Sequence, residues 1–381
     1  MRSAGSEERD SAGRRVTIGL WADPDTPAEI ARELARLLPD LLARRVGEDV
    51  TWSVEVVVEP FAVTDRDEQR LLRVARKRME REGWDILICL TDLPLHSDKG
   101  RLPLVADVST SKGIALISLP ALGGVRRRVR EAIVRIVEAL AEEWGLVPPR
   151  ERTKGLLAHR TSAVAKVTPS DEAVDVRYIA IGLRGRLRLL IGMVRANQPW
   201  RLVPGLKSAL AAALATGAIA LVNSNVWLLS DALGAARLTA AMVTAILLMV
   251  GWLIVAHDLW ARRRRSSRVE VERVVLYNAS TVLTLGLGVL TMYAGLFALT
   301  LGSAAFLIEG EVFGNQLGHP AQPPDYLDLA WLTSSVALIA GAVGSSLESD
   351  EAVRAAAYSR REQERRAKVA AAGATGADSD S

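Results

Sequence analysis

The residues of this chain best suited to chemistry fall at the ends of apolar, strand-like runs. Asp23 and Asp25 follow RVTIGLW, Thr91, Asp92 and His96 follow DILICL, and Asp107 and Ser109 come with LPLVADV. Carboxylates, a hydroxyl and an imidazole are the groups from which acid–base and cation sites are built. In open α/β sheets, ligands sit beyond the carboxyl ends of parallel strands. Were these runs parallel, Asp23, Thr91, Asp92 and Asp107 could share a crevice and hold a cation or a polar ligand. The same residue types also satisfy backbone groups at turns and caps. ADPDTP and TDLP each set an aspartate before a proline turn, so turn chemistry is the heavier reading. His96, beside SDKG, reads as a loop histidine, with Lys99 and Gly100 at an ordinary loop tip.

Motifs that would fix a reaction are missing. The chain has no Gly-rich phosphate loop ending in Lys-Ser/Thr and no G-x-S-x-G elbow. Its single cysteine, Cys89, lies inside DILICL. That excludes an intrachain disulfide, leaves no thiolate metal set, and reads as a buried, inert thiol in a reducing compartment. The 4 histidines, His96, His159, His257 and His319, are scattered. No cofactor and no metal set is read from the sequence, and the balance leans away from an enzyme.

The elements that would position these residues divide the 381-residue chain in two. Residues 1–14 lack an apolar core and read as a leader rather than a signal peptide. Residues 15–148 alternate strand and helix patterns, predicting a cytosolic α/β domain with a mixed sheet of about five strands and three helices. In its first helix, Thr26, Pro27 and Glu29 have capping-box spacing, and Ile30, Leu34, Leu37, Leu38, Leu41 and Leu42 form one face. Thr64 and Asp67 open a second helix, which turns Leu71, Leu72, Ala75 and Met79 inward. TWSVEVVVEPF alternates as a half-buried strand does. DILICL, apolar throughout, reads as a central strand. A hairpin is expected among the last three strands.

The order TDLPL, VADV, IALISLPALG and then an Arg-rich helix start resembles the region leading into the zinc helix of archaemetzincin-like peptidases. In that family the helix carries His-Glu-x-x-His. Here IVRIVEALAEEWGL has no histidine, so the resemblance covers about 60 residues, implies the fold alone and excludes a zinc peptidase.

Residues 149–175 lack sustained periodicity and read as a linker. Residues 176–200 predict an amphipathic helix with a stripe of Leu183, Leu187, Leu190, Ile191 and Val194. Arg184, Arg188 and Arg195 flank the stripe on one side and Arg186 on the other. Such a helix suits the headgroup layer, its arginines reaching anionic lipid phosphates. The alternative is a helix packed on the soluble domain.

Within 203–347 four uncharged runs, 208–230, 238–256, 274–308 and 329–347, approach or exceed the roughly 20 residues needed to cross a hydrocarbon core of about 30 Å. The third is long enough to tilt strongly, extend beyond the bilayer, or break near Gly286 and Gly288. A fifth crossing would follow if it bent back. Arg262 to Arg265, Arg268 and Arg273 fill the loop between the second and third runs, and residues 348–381 form a basic tail. The segment 309–326 has no Lys or Arg. The positive-inside rule therefore puts the α/β domain and the tail in the cytoplasm of a multi-pass protein of the cell membrane.

No charge lies mid-run, so no ion relay is visible. Asn223 and Asn225 are read as helix-to-helix hydrogen bonders. Ala209 with Ala213, and Gly341 with Ser345, allow close helix approach within the bundle or in a homo-oligomer or membrane-protein complex. The net charge of +4 is placed for a bilayer, and nucleic acid is not expected as a partner. The whole pattern resembles multi-pass membrane proteins of actinobacteria, a likeness that brings no activity with it. The expected role is a membrane-anchored cytosolic module that binds a partner or ligand. A membrane enzyme at the strand ends and a small channel or transporter are the alternatives.

Overall fold

The computed structural model describes residues 14–46, 50–60, 68–95, 103–146, 164–167, 175–261, 268–350 and 353. The leader up to residue 13, Thr64 and Asp67, the loop with His96 and Lys99, most of the expected linker, the arginines at 262–265 and the tail beyond 353 lie outside them. The chain forms two compact units, with the division after Ala196.

The first unit is built on a mixed seven-stranded sheet. Its elements are β1 (Arg14–Ala22), α1 (Thr26–Arg45), β2 (Val50–Val58), α2 (Glu68–Glu82), β3 (Ile86–Thr91), β4 (Leu104–Ser109), β5 (Ile114–Ser118), α3 (Arg126–Glu143), β6 (Val164–Val167), β7 (Val176–Ala180) and α4 (Gly182–Ala196). The strand order is β2-β1-β3-β5-β4-β7-β6. Strands β2, β1, β3 and β5 are mutually parallel, whereas β4 pairs antiparallel with β5 and β7, and β6 antiparallel with β7. The expected hairpin is β4–β5. From β1 the chain crosses outward to β2 and then back past β1 to β3. Right-handed crossovers running in opposite directions put α1 and α2 on opposite faces. The carboxyl ends of β1 and β3 thus flank the point where strand order reverses. DILICL is central as its composition requires, with every residue of β3 buried.

Two strands exceed the sequence expectation. Both β6 and β7 fall where a linker and the start of an amphipathic helix were expected. The first helix also differs at its start: Asp25 is the N-cap, with φ 68° and no side-chain capping bond, so Thr26 is already helical. On that helix Leu37 faces solvent, while Ile30, Leu34, Leu38 and Leu42 are buried.

The second unit is helical: α5 (Leu202–Gly205), α6 (Lys207–Leu221), α7 (Ser224–Ala232), α8 (Ala235–Ala256), α9 (Arg268–Leu307), α10 (Gly310–Leu317) and α11 (Pro323–Gly344). Three helices are long and apolar enough to cross a membrane: Ala235–Ala256, Val274–Leu307 and Pro323–Leu347. A fourth crossing is reached only by counting α6 together with the helical segment before it. The run 208–230 is not one helix. It breaks at Asn223, whose side chain accepts from the Asn225 N–H at 3.0 Å and caps α7. Asn223 is therefore a cap rather than a bridge between helices. The run 274–308, by contrast, is unbroken, and Gly288 packs closely on Leu202 and Pro199 instead of kinking the helix.

Helix α11 is the hub of this unit. A Cβ at Gly341 would lie 3.0 Å from the Ala209 carbonyl, and one at Gly344 would lie 3.0 Å from the Ser208 carbonyl. The small residues thus bring α6 and α11 together within the chain. Hydrogen bonds tie α9 to α11: Thr300 with Ser334 at 2.9 Å, and Tyr293 with Ser335 at 3.2 Å. Between them the centre is apolar, with Met249, Leu253, Leu285 and Val289 fully buried.

Candidate functional site

The reversal of strand order brings Asp23 and Thr91 together as the sequence suggested. The Thr91 hydroxyl donates to Asp23 Oδ2 at 2.6 Å, and the same hydroxyl oxygen accepts from the Leu93 N–H at 3.1 Å. Around them the edge is knitted by backbone: Asp23 N–H to the Leu90 carbonyl, Leu119 N–H to the Thr91 carbonyl, and Ser118 Oγ to the Leu93 carbonyl at 2.9 Å. Asp23 and Thr91 are 0% exposed and Asp92 4%. The side chains of Asp23 and Thr91 are spent on each other and on closing the turn.

Asp107 does not join them. It sits within β4, antiparallel to its neighbours, and takes Arg177 of β7 in a two-pronged ion pair at 2.8 and 2.9 Å. The two residues are register partners across the β4–β7 ladder, and both side chains are buried. The four residues expected to share a crevice thus separate into a turn and a structural ion pair. Ser109 lies at the opposite edge, where Asp175 gathers the Ser111 N–H (3.0 Å) and the Thr110 hydroxyl (3.1 Å). Burial raises the Asp175 carboxyl, but these bonds outweigh it and hold its pKa below the ordinary value. Burial pushes the Cys89 thiol well above its ordinary pKa.

The four arginines of the expected membrane helix also divide. Helix α4 docks on the 3-10 turn Pro120–Leu122 and buries Gly185, Leu189, Gly192 and Met193, with Gly185 against Ala180. Gly192 lies so close to the Pro120 carbonyl that a Cβ would collide with it. The opposite face carries Leu183, Leu187 and Ile191, exposed by 73, 48 and 52%. Arg184 and Arg186, both exposed, border that stripe on its two sides. Arg188 and Arg195 turn the other way. The Arg195 Nη1 donates to the Gly123 carbonyl at 3.2 Å, and the Arg188 Cγ would be 3.1 Å from a Cβ at Gly123. From α3, the Arg128 Nη1 reaches the Leu122 carbonyl at 3.4 Å. Three guanidinium side chains therefore meet one turn at the carboxyl end of β5. Burial, and then the nearby Arg128, hold Arg188 below its usual pKa. Arg128 was not among the sequence candidates. Its signal was a helix opening on three arginines, at the end where the helix dipole favours anions.

In the helical unit, His319 Nε2 lies 3.2 Å from Asp231 Oδ1, and its Nδ1 lies 3.1 Å from the Pro320 carbonyl and 4.0 Å from Asp325. Ligand atoms of His319, Asp231 and Asp325 fall within 4.8 Å of one another, a spacing at which a metal can be held. Both ring nitrogens face acceptors, which only the imidazolium satisfies. The Pro320 carbonyl and Asp231 accordingly raise the His319 pKa. The set is a clamp between α7 and α11 that the protonated imidazole strengthens.

No protein-family model matches the chain, and no curated protein or solved structure is significantly similar to it, so the two resemblances drawn from the sequence gain no support there.

Proposed function

We propose that the protein is a membrane-anchored α/β module, held at the cytoplasmic face with the outer side of α4 in the headgroup layer. The observation that carries this reading is the two-sidedness of α4. Its glycine face is spent on the α/β unit, while Leu183, Leu187 and Ile191 stand exposed between Arg184 and Arg186. An apolar helical stripe bordered by arginines is what an interfacial helix presents to anionic lipid. The chain reaches the apolar helices a few residues after α4 ends, so the membrane is covalently within reach. Arginines gathered in the loop between α8 and α9, against none between Glu309 and Tyr326, support a cytoplasmic placement of the module. The helical unit then serves as anchor, and the module presents its binding surface at the bilayer.

The test is depth quenching. A bimane on Leu187→Cys, in proteoliposomes containing brominated lipid, should be quenched severalfold more than one on Arg36→Cys of α1. Cys89, being buried, will not take the label. Equal quenching at the two positions would show that α4 does not lie on the membrane. A reporter fused after Lys368 reads the orientation separately and should be accessible only from the cytoplasm.

A further inference from the structure

The turn after β5 is a place where this chain concentrates positive charge and does not neutralise it. Several other arginines are paired: Arg126 with Glu33 at 2.8 Å, Arg135 with Glu131 at 2.9 Å, Arg177 with Asp107 at 2.8 Å, and Arg78 with Glu59. Arg128, Arg188 and Arg195 have no carboxylate partner among the described residues. Among the described residues Arg128 donates to the Leu122 carbonyl and Arg195 to the Gly123 carbonyl, which leaves most of the N–H groups of the three unused.

The backbone keeps them together. Gly123 and Gly124 take φ of +81° and +63°, turning the chain sharply between β5 and α3. Gly123 lacks the Cβ that would otherwise meet Arg128 Nη1 at 3.2 Å and Arg188 Cγ at 3.1 Å. The two side chains therefore meet over the glycine. Helix α3 then begins with three arginines, no acidic residue in its first turn and no side-chain cap. Cations at that end oppose the helix dipole. Like charges held against each other and against a dipole destabilise the protein by themselves, and an anion with several acceptor oxygens reverses every one of these terms. Planar guanidinium forks match phosphate oxygens in number and geometry.

We propose that Arg128, Arg188 and Arg195 form a binding site over the Leu122–Gly124 turn for a phosphoryl group, supplied by a soluble phosphate monoester or by the headgroup of an anionic phospholipid. The site lies at the carboxyl end of a parallel strand, where α/β sheets bind ligands, and it uses residues other than the exposed stripe that carries the membrane reading.

The experiment uses the intact protein in a mild non-ionic detergent. Its melting temperature and its binding isotherm are followed with inorganic phosphate, and in a second arm with dihexanoyl phosphatidic acid against dihexanoyl phosphatidylcholine. Sodium chloride at matched ionic strength is the control. Saturable stabilisation by phosphate, weakened about tenfold or more in Arg188→Gln as loss of a charge-assisted contact requires, supports a site for soluble phosphates. Saturation with phosphatidic acid alone supports the site and assigns it to lipid. Arg128→Gln, on another helix, repeats the test should R188Q fold poorly, and Arg135→Gln, paired with Glu131, should leave the affinity unchanged. Responses to phosphate and phosphatidic acid no larger than to chloride would overturn the proposal, as would unchanged affinity in both R188Q and R128Q. Leu187→Ser, which removes part of the exposed stripe, should leave phosphate affinity intact, so this proposal and the membrane reading fail separately.

Discussion

Two stretches of the same sheet edge make the useful comparison. Over β1 and β3 the polar groups are carboxylate and hydroxyl, fully buried, and engaged with one another and with turn backbone. Past β5 they are guanidinium groups, exposed or half-buried, gathered from two helices and with no carboxylate partner among the described residues. Strand-end aspartates draw attention in a sequence because they resemble catalysis, yet here they finish the fold. The arginines draw less attention because surface arginines are common, yet their charge is left unanswered. What separates architecture from a site is whether the protein has already satisfied the group.

Four perturbations would break or sharpen that contrast. The largest belongs to the buried pair that removed Asp107 from the expected site. Asp107→Ala should destabilise the protein by about 3–5 kcal/mol, because it strands a buried Arg177. Asp107→Leu combined with Arg177→Met should recover most of that loss in chemical unfolding followed by tryptophan fluorescence. Next, Thr91→Val removes the donor to Asp23 and the acceptor for Leu93. It should cost about 1–3 kcal/mol in the same assay, and a neutral result would mean that the β1–β3 edge is less settled than its geometry implies. Third, Arg188→Gln without added phosphate should leave stability unchanged or raise it by about half a kcal/mol, as relief of one like-charge contact would. A loss comparable to that of T91V would show that the arginines are structural.

The fourth effect is the smallest and turns on pH. His319 has its pKa raised above 6.5 by the Pro320 carbonyl and then by Asp231. Its contribution to stability is therefore full below the ordinary value and is lost as pH rises through the raised one. Plots of melting temperature against pH for wild type and His319→Gln should diverge below that transition and converge above it. Parallel curves would remove the clamp.

The sequence revealed much of the fold through periodicity, and its failures have local causes. An unbroken apolar β3 could only be central. The strand β7 was missed because Tyr178, Ile179 and Ala180 run directly into the apolar stripe of α4, and because its buried Arg177 finds its partner 70 residues away. The docking face of α4 was invisible for a different reason. Gly185 and Gly192 add nothing to a hydrophobic pattern, though their bareness is what lets the helix seat. The stripe that the pattern did show proved to be the exposed side, so Arg184 and Arg186 kept their expected place beside it while Arg188 and Arg195 did not. Asn223 was legible in principle, since Asn-Ser-Asn inside an apolar run is a helix-cap signal.

One element has a consequence for the bilayer itself. Helix α9 carries 34 consecutive residues of its apolar stretch without a break, a rod of about 50 Å. A hydrocarbon slab of about 30 Å leaves an overhang that ordinary tilts of about 20° do not absorb. At its far end Ala304 and Ile308 are sheathed by Leu221, Phe313 and Leu329, with Trp227 and Tyr326 packed alongside. The short helices α7 and α10 thus clad one side of that end, while Phe306 and Leu307 stand 88 and 65% exposed on the rest of it.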